Sequence, residues 1–158
     1  MRWKQRDEIS FKILSSSGSV EWPTPQWLFD LLDKEFGFTL DPCSTDLNAK
    51  CDRHFTALEN GLKQDWGLET VFMNPPYGAG ETGKWIKKAY EAALKGSTVI
   101  CLVPSRTDTK WWHKYAMKAE IRFLRGRLTF EGSMNPAPFP SVLVIFRPPE
   151  FKLVSYPA

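Results

Sequence analysis

The chain has 158 residues, of which 42% are hydrophobic and 25% charged, as is typical of one globular domain. It has no apolar run near the roughly 20 residues of a membrane span and no signal peptide at its start, so we expect a cytoplasmic protein without a membrane partner. Three scattered cysteines and two histidines predict neither a disulfide framework nor a zinc site and give little support to a Ser/His/Asp triad.

The net charge of +3 is unevenly distributed along the chain. Residues 1–83 carry 8 Lys and Arg against 13 Asp and Glu, whereas residues 84–127, here called the basic segment, carry 11 against 3. Such a segment suits a polyanion, such as nucleic acid, that docks on one side of the protein. The alternative is a set of solvated helix faces.

The first predicted elements lead to a polar strand end. We expect a loosely ordered segment at 1–20, one domain at 21–150 and a tail at 151–158. A helix is predicted to begin with Thr24 as N-cap and Pro25 as its first residue, and to end at Gly37. A short strand over 38–40 then ends at Asp41-Pro42, and residues 45–64 show only weak periodicity.

The second half of the chain alternates strands and helices. A buried strand begins at Thr70 and is stopped by Pro75; after a glycine-rich loop at 78–83, a helix over 84–94 and a strand over 97–104 follow. Next come a helix capped by Asp108, one or two strands around Gly126, and a last strand over 141–147. This order predicts an α/β domain with a mostly parallel sheet and helices on both faces, whose strand ends meet at one edge.

Asn74-Pro75-Pro76-Tyr77 directly follows a buried strand and suits one chemical task. Proline fixes φ and has no N–H, so the turn presents a rigid row of carbonyl acceptors, to which Asn74 adds its side-chain carbonyl. Together these groups can accept both hydrogens of an exocyclic amine such as adenine N6, while Tyr77 offers a ring on which a base can stack. An ordinary turn is the alternative.

Six stretches of this chain resemble, in order, the compact phage-type DNA adenine-N6 methyltransferases: TPQWLFDLL, FTLDPCS, QDW, VFMNPPYG, LVPSRTDTKWWH and GRLTF…PAPFPSVLVIF. The resemblance covers residues 21–147, and Asn74-Pro75-Pro76-Tyr77 looks like the catalytic motif. It implies a Rossmann-like, site-specific methyltransferase with S-adenosylmethionine as cofactor and DNA adenine as substrate. The implied catalytic residues are Asn74, Pro75, Pro76 and Tyr77.

The resemblance also implies the cofactor-binding residues. Asp41, Pro42, Cys43 and Ser44 match the motif beside the methionine moiety, and Asn74 also belongs to this site. Asp65-Trp66 looks like the pair that reads the cofactor's adenine, and Thr24-Pro25 resembles the segment that completes the methionine pocket, where a helix N-terminus would suit the carboxylate. Structural alternatives are a strand-ending turn at Asp41-Pro42, a surface acid beside a core tryptophan at Asp65-Trp66, and a simple helix cap at Thr24.

Two features depart from the wider methyltransferase class. No GxGxxG follows the first strand, and Ser44 stands where a glycine often lies. Only 23 residues separate Asp41 from Asp65, which leaves little room for the second strand of the wider class. In that class an acid associated with this strand binds the cofactor's ribose, and Glu59 is a candidate for it.

DNA contacts are predicted from the basic segment: Lys84, Arg106, Lys110, Arg125 and Arg127. A target adenine has to be flipped out of the duplex to reach such a site, and loops at 78–83 and 131–141 are left to read the sequence. No metal is expected. Two other functions are open: methylation of a protein glutamine amide, and a non-catalytic module that binds S-adenosylmethionine or nucleic acid.

Overall fold

The computed structural model describes residues 21–150, in which four strands form one sheet. The strands are β1 (Thr70–Met73), β2 (Thr98–Pro104), β3 (Glu120–Phe123) and β4 (Ser141–Phe146). The helices are α1 (Gln26–Phe36), α2 (Glu81–Leu94) and α3 (Lys110–Lys114), and a short 3-10 helix follows at Ala116–Lys118. The expected N-terminal segment at 1–20 and tail at 151–158 lie outside the described residues.

The sheet is mixed, with the strand order β1-β2-β4-β3. β1 and β2 are parallel, whereas β4 pairs antiparallel with both β2 and β3. Two isolated parallel bridges, Leu40 to Val71 and Asp41 to His54, lie on the β1 side. The expectation of a mostly parallel sheet therefore fails for these four strands. The reason is that β2 and β4 are apolar on both faces, and a uniform apolar run indicates burial without indicating direction.

Successive strand side chains point to opposite faces and enter two apolar clusters. One cluster joins three α1 residues to one set of strand residues: Leu28, Phe29, Leu32, Phe72, Ile100, Leu102, Leu143 and Ile145. The other joins α2 residues to the alternate set: Trp85, Ile86, Ala89, Val71, Val99, Cys101, Val103 and Val144. The described strands are thus covered by α1 on one side and by α2 on the other.

The ends of the helices show which local predictions were right. Gly37 ends α1 as predicted, with φ +66° and its N–H donating to the Asp33 carbonyl at 2.8 Å. The prediction for its beginning was off by one residue, because Pro25 is the N-cap and α1 starts at Gln26. Similarly, Thr109 rather than Asp108 caps α3, its hydroxyl accepting a bond from the Trp112 N–H.

The predicted strands at the sheet edges are shorter than expected. The segment at 38–40 forms only the bridge at Leu40, and the strand β3 ends at Phe123. The chain then turns at Gly126, whose φ of +80° is a left-handed conformation that suits glycine, so no second strand forms there. No helix within residues 21–150 has the length and apolar character needed to cross a membrane.

Candidate active site

A cavity of about 480 Å³ lies at the carboxyl end of β1. This volume is within the usual range of small-molecule sites. The wall is built from three separated parts of the chain, around 21–24, 41–62 and 72–85. It includes nine residues predicted from the sequence: Thr24, Asp41, Pro42, Cys43, Ser44, Asn74, Pro75, Pro76 and Lys84.

The side chain of Asn74 is held from two sides at the cavity wall. Its Nδ2 donates to the Trp22 carbonyl at 2.7 Å and to the Thr24 hydroxyl oxygen at 2.9 Å. Its Oδ1 accepts a bond from the Tyr77 hydroxyl at 2.7 Å. Because a backbone carbonyl can only accept, the Trp22 contact fixes which end of the amide is nitrogen. Oδ1 keeps a second lone pair for another donor. Thr24, predicted as a helix cap, therefore positions Asn74 instead.

Tyr77 points its hydroxyl inward, toward the sheet. The hydroxyl lies 2.7 Å from Asn74 Oδ1 and 2.9 Å from the Leu102 carbonyl, and its one hydrogen serves these two acceptors. Burial raises the pKa of Tyr77 well above its usual value, so the group stays a donor. The ring packs edge-on against Phe139, with centroids 5.6 Å apart.

The two prolines of the motif offer unequal acceptors. The Pro76 carbonyl accepts a bond from the Thr82 hydroxyl at 3.2 Å and is therefore partly satisfied. The Pro75 carbonyl has no hydrogen bond within the part of the chain that the structure describes. The expected row of free acceptors thus narrows to Asn74 Oδ1 and the Pro75 carbonyl.

Asp41 is a buried carboxylate of the neighbouring segment of the wall, only 4% exposed. Oδ2 accepts from the Lys50 backbone N–H at 3.0 Å and Oδ1 from that of Cys43 at 3.4 Å. Burial raises the pKa of Asp41 above its usual value of 3.8, and these two N–H groups oppose the rise. Burial, with the Asp41 charge, also raises the pKa of the Cys43 thiol, which makes it an unreactive wall residue.

The cavity wall has a close backbone contact at Gly61 and a buried hydroxyl at Ser44. A Cβ at Gly61 would lie 1.9 Å from the Pro42 carbonyl oxygen, so only glycine fits there. The Ser44 hydroxyl oxygen is buried and near enough to the Asp41 carboxylate to help lower its pKa, but it makes no hydrogen bond of normal geometry among residues 21–150. A buried polar group without a partner is unfavourable, and a polar ligand in the cavity would satisfy it.

Four residues considered for cofactor binding do not line the cavity: Pro25, Glu59, Asp65 and Trp66. Trp66 is 1% exposed, its indole N–H donates to the Gly61 carbonyl at 2.9 Å, and it stacks on Trp85. Asp65 is exposed and accepts a bond from the Gly67 N–H. This is the arrangement of a surface acid beside a core tryptophan. Trp66 supports the wall through Gly61, and Trp85 supplies the aromatic wall itself.

The predicted DNA-binding residues all lie on the surface: Lys84, Arg106, Lys110, Arg125 and Arg127. Lys84 pairs with Glu81 at 2.6 Å, whereas the other four make no ion pair within residues 21–150. Another cation of the basic segment, Arg122, is engaged with Glu35 and Glu120. Arg106 follows the carboxyl end of β2, the edge at which the Asn74 motif also lies.

Several wall residues were not found from the sequence, among them Trp22, Lys50 and Trp85. Trp22 packs edge-on against Phe139, 5.2 Å between centroids, and this pair lies beside the Tyr77 ring. Phe139 precedes β4, whose antiparallel direction brings its first residue, Ser141, opposite Pro104 at the end of β2. We call Trp22, Tyr77 and Phe139 the aromatic group. The PAPFPS stretch was the only sequence signal for Phe139, whereas Tyr77 was predicted from its motif.

Among residues 21–150, no group of three or more His, Cys, Asp or Glu side chains is placed to hold a metal ion.

Comparison with known proteins places these features in a family. The family described as DNA N-6-adenine-methyltransferase (Dam) matches residues 14–156. The DNA N-6-adenine-methyltransferase of Escherichia phage T1 is 29% identical over 111 residues, 68% of this chain and 46% of the phage protein. YfdM of Escherichia coli (strain K12), a methyltransferase by name, is 38% identical over 64 residues, 36% of this chain and 70% of that protein. The match spans about half the length of the phage relative. Because the family match extends over most of the sequence, this chain belongs to the DNA N-6-adenine-methyltransferase (Dam) family.

Proposed function

We propose that the chain transfers a methyl group from S-adenosylmethionine to the N6 amine of adenine in DNA. The observation that carries this proposal is the fixed amide of Asn74 in the cavity wall, followed directly by Pro75, another wall residue whose carbonyl has no hydrogen bond among residues 21–150. An exocyclic amine has two hydrogens, and these two oxygens match them. The membership in the family and the phage T1 relative support the same reaction.

The cavity fits S-adenosylmethionine by the chemistry of its walls. Its volume suits a small molecule, and the buried Asp41 carboxylate suits a cation. A polar ligand would also satisfy the buried Ser44 hydroxyl, which makes no hydrogen bond of normal geometry among residues 21–150. When bound, the cofactor supplies an electrophilic methyl group. We assign its binding to Thr24, Asp41, Pro42, Cys43, Ser44 and Asn74, with Trp85 added from the structure. Trp66 then acts by supporting the wall through Gly61, whereas Pro25 and Asp65 receive no cofactor contact.

The chain's own residues would act by positioning the amine. Asn74 Oδ1 and the Pro75 carbonyl accept its two hydrogens, which turns the nitrogen lone pair away from the conjugated ring. Such fixed acceptors need no reorganisation during the reaction, and that is how positioned dipoles lower a barrier. The flipped base would stack on the aromatic group of Trp22, Tyr77 and Phe139, recovering part of the unstacking free energy.

DNA would approach over the sheet edge at which β1 and β2 end. Arg106 lies at this edge, and Arg127 Nη1 lies 3.5 Å from the Ala137 carbonyl, close to Phe139. We assign phosphate contacts to Arg106, Lys110, Arg125 and Arg127, with Lys84 nearest the cavity.

The finer structural predictions belong to the same proposal. A Rossmann-like methyltransferase arrangement is supported by the parallel pair β1-β2 and by the position of the cavity at the carboxyl end of β1. We likewise propose residues 21–150 as the methyltransferase domain. The cytoplasmic location stays a prediction.

The test is a transfer assay with labelled S-adenosylmethionine and DNA that contains no methylated adenine. We expect label in DNA, recovered as N6-methyl-2′-deoxyadenosine after digestion to nucleosides, and none with Asn74→Ala. Label in protein glutamine would instead support the amide methyltransferase. Cofactor binding without label in either acceptor would support a non-catalytic module.

A further inference from the structure

Lys50 is a cation of the cavity wall that no sequence motif indicated. Its side chain is only 10% exposed, although lysine side chains are usually solvated. Its backbone N–H donates to Asp41 Oδ2 at 3.0 Å, which anchors the residue beside that carboxylate. The backbone of Lys50 is therefore fixed at the cavity wall, and its side chain is largely shielded from solvent.

The ammonium group has one good partner and one poor partner. Nζ donates to Gln26 Oε1 at 2.8 Å, and Gln26 is oriented for this because its Nε2 donates to Asp30 at 2.8 Å. Both carboxylate oxygens of Glu131 lie 3.5 Å from Nζ, and Glu131 is 45% exposed. A well-formed ammonium–carboxylate bond is about 2.7–2.9 Å long. Lys50 thus lacks a close carboxylate partner within the described residues.

The other charges of the cavity wall do not supply one. They are Glu21, Asp41, Glu81 and Lys84, and Lys84 is paired with Glu81 at 2.6 Å. Asp41 and Lys50 therefore give the wall one anionic and one cationic residue, joined through the bond from the Lys50 backbone N–H to Asp41 Oδ2. The methionine end of S-adenosylmethionine carries both charges, an ammonium and a carboxylate. In addition, Gln26 is the first residue of α1, so the ammonium group lies near a helix N-terminus, which favours an anion.

We propose that Lys50 binds the α-carboxylate of the cofactor's methionine moiety, which takes the place of Glu131. This assignment rests on the proposed function, because it names a contact within the same cofactor site. Glu131 belongs to the segment between Phe130 and Phe139, and its N–H is bonded to the Pro23 carbonyl at 3.0 Å. Cofactor binding would then break the ion pair between Lys50 and Glu131, which lies in the segment that leads to Phe139.

Two ligands that differ only in the carboxylate test this assignment by calorimetry, without turnover. S-adenosylhomocysteine carries the carboxylate, and S-adenosyl-3-thiopropylamine lacks it. We expect Lys50→Met to weaken S-adenosylhomocysteine about 10- to 100-fold and the amine less than about 2-fold. Glu131→Gln should leave S-adenosylhomocysteine unchanged or bind it several-fold more tightly, because it removes the competing carboxylate.

The different responses expected of the two variants, weaker binding for Lys50→Met and no weakening for Glu131→Gln, separate ligand binding from a structural role. If the Lys50–Glu131 pair only stabilised the fold, both variants would weaken both ligands, and that result would overturn the assignment. Lys87→Met is the matched control, because Lys87 forms an equally long 3.5 Å pair with Glu91 on the exposed face of α2. Should Lys50→Met not fold, as judged by thermal melting, Lys50→Gln replaces it.

The two proposals fail in different ways. If the wild-type protein binds S-adenosylhomocysteine and Lys50→Met binds it equally well, only the Lys50 assignment is overturned. Wild-type protein that binds neither ligand would overturn the proposed cofactor, and the Lys50 assignment with it.

Discussion

Tyr77→Phe separates the two roles that Tyr77 can have in the site. The change keeps the ring that a base would stack on, and removes the hydroxyl that lies 2.7 Å from Asn74 Oδ1. A buried hydrogen bond of this kind contributes about 1–1.5 kcal/mol. If orientation of Asn74 matters in the transition state, kcat should fall about 5- to 10-fold, since about 1.4 kcal/mol corresponds to a factor of ten.

The structure also limits the size of this effect. Asn74 Nδ2 keeps its bonds to Trp22 and Thr24, so the amide is loosened and not released. The loss should therefore be far smaller than that of Asn74→Ala. We expect the KM for DNA to stay within about 2-fold, because the ring is kept, and the melting temperature to fall by about 3 °C.

Steady-state methyl transfer and thermal melting of the same preparations measure these quantities. Tyr90→Phe is the matched control, because Tyr90 lies on α2 and packs against Tyr115, away from the cavity. Wild-type kcat in Tyr77→Phe would refute the reasoning and leave the ring as the only functional part of Tyr77. A raised KM with unchanged kcat would point to the base and not to Asn74.

The remaining predictions concern catalysis, the cofactor and DNA. Asn74→Ala should abolish methyl transfer while leaving cofactor affinity within a few-fold, as labelled assays and calorimetry would show; turnover at the wild-type rate would contradict the assignment. Because burial raises the pKa of Asp41 above 3.8, the affinity for the cationic cofactor should increase with pH as this carboxyl ionises, and Asp41→Asn should flatten the profile; calorimetry from about pH 4 to 8 checks this. Substitution by alanine at each of three exposed arginines, Arg106, Arg125 and Arg127, should lower the slope of log affinity against log salt by about 0.9 per lost duplex contact. The effect should be the same on two unrelated DNA sequences, and Lys34→Ala on α1 is the control. An unchanged slope would assign the DNA path to another surface.

The sequence by itself determined the features that depend on neighbouring residues. Gly37 ends α1 because glycine alone adopts its left-handed conformation without strain. Asn74-Pro75 follows a buried strand, because proline cannot continue the ladder of hydrogen bonds. The motif's identity also indicated the family, since its chemistry is carried by four consecutive residues. None of these features requires knowledge of a distant partner.

Only the tertiary structure decided which distant groups meet. Asn74 is held by Trp22 and Thr24, 52 and 50 residues away, and Lys50 contacts Glu131, 81 residues away. Periodicity indicates which side chains are buried and gives no information about such contacts. The same limit explains the error at Trp66. The sequence indicated that Trp66 is buried, but only the structure shows that it lies behind the cavity wall and bonds to the wall residue Gly61.

The direction of β4 is the clearest case. Its six residues are buried on both faces, so either direction satisfies the same hydrophobic pattern. The antiparallel pairing with β2 is what brings the segment containing Phe139 to the edge that carries Asn74. Burial free energy is non-directional, whereas hydrogen bonding between strands has a direction, and that direction is set when the whole sheet assembles.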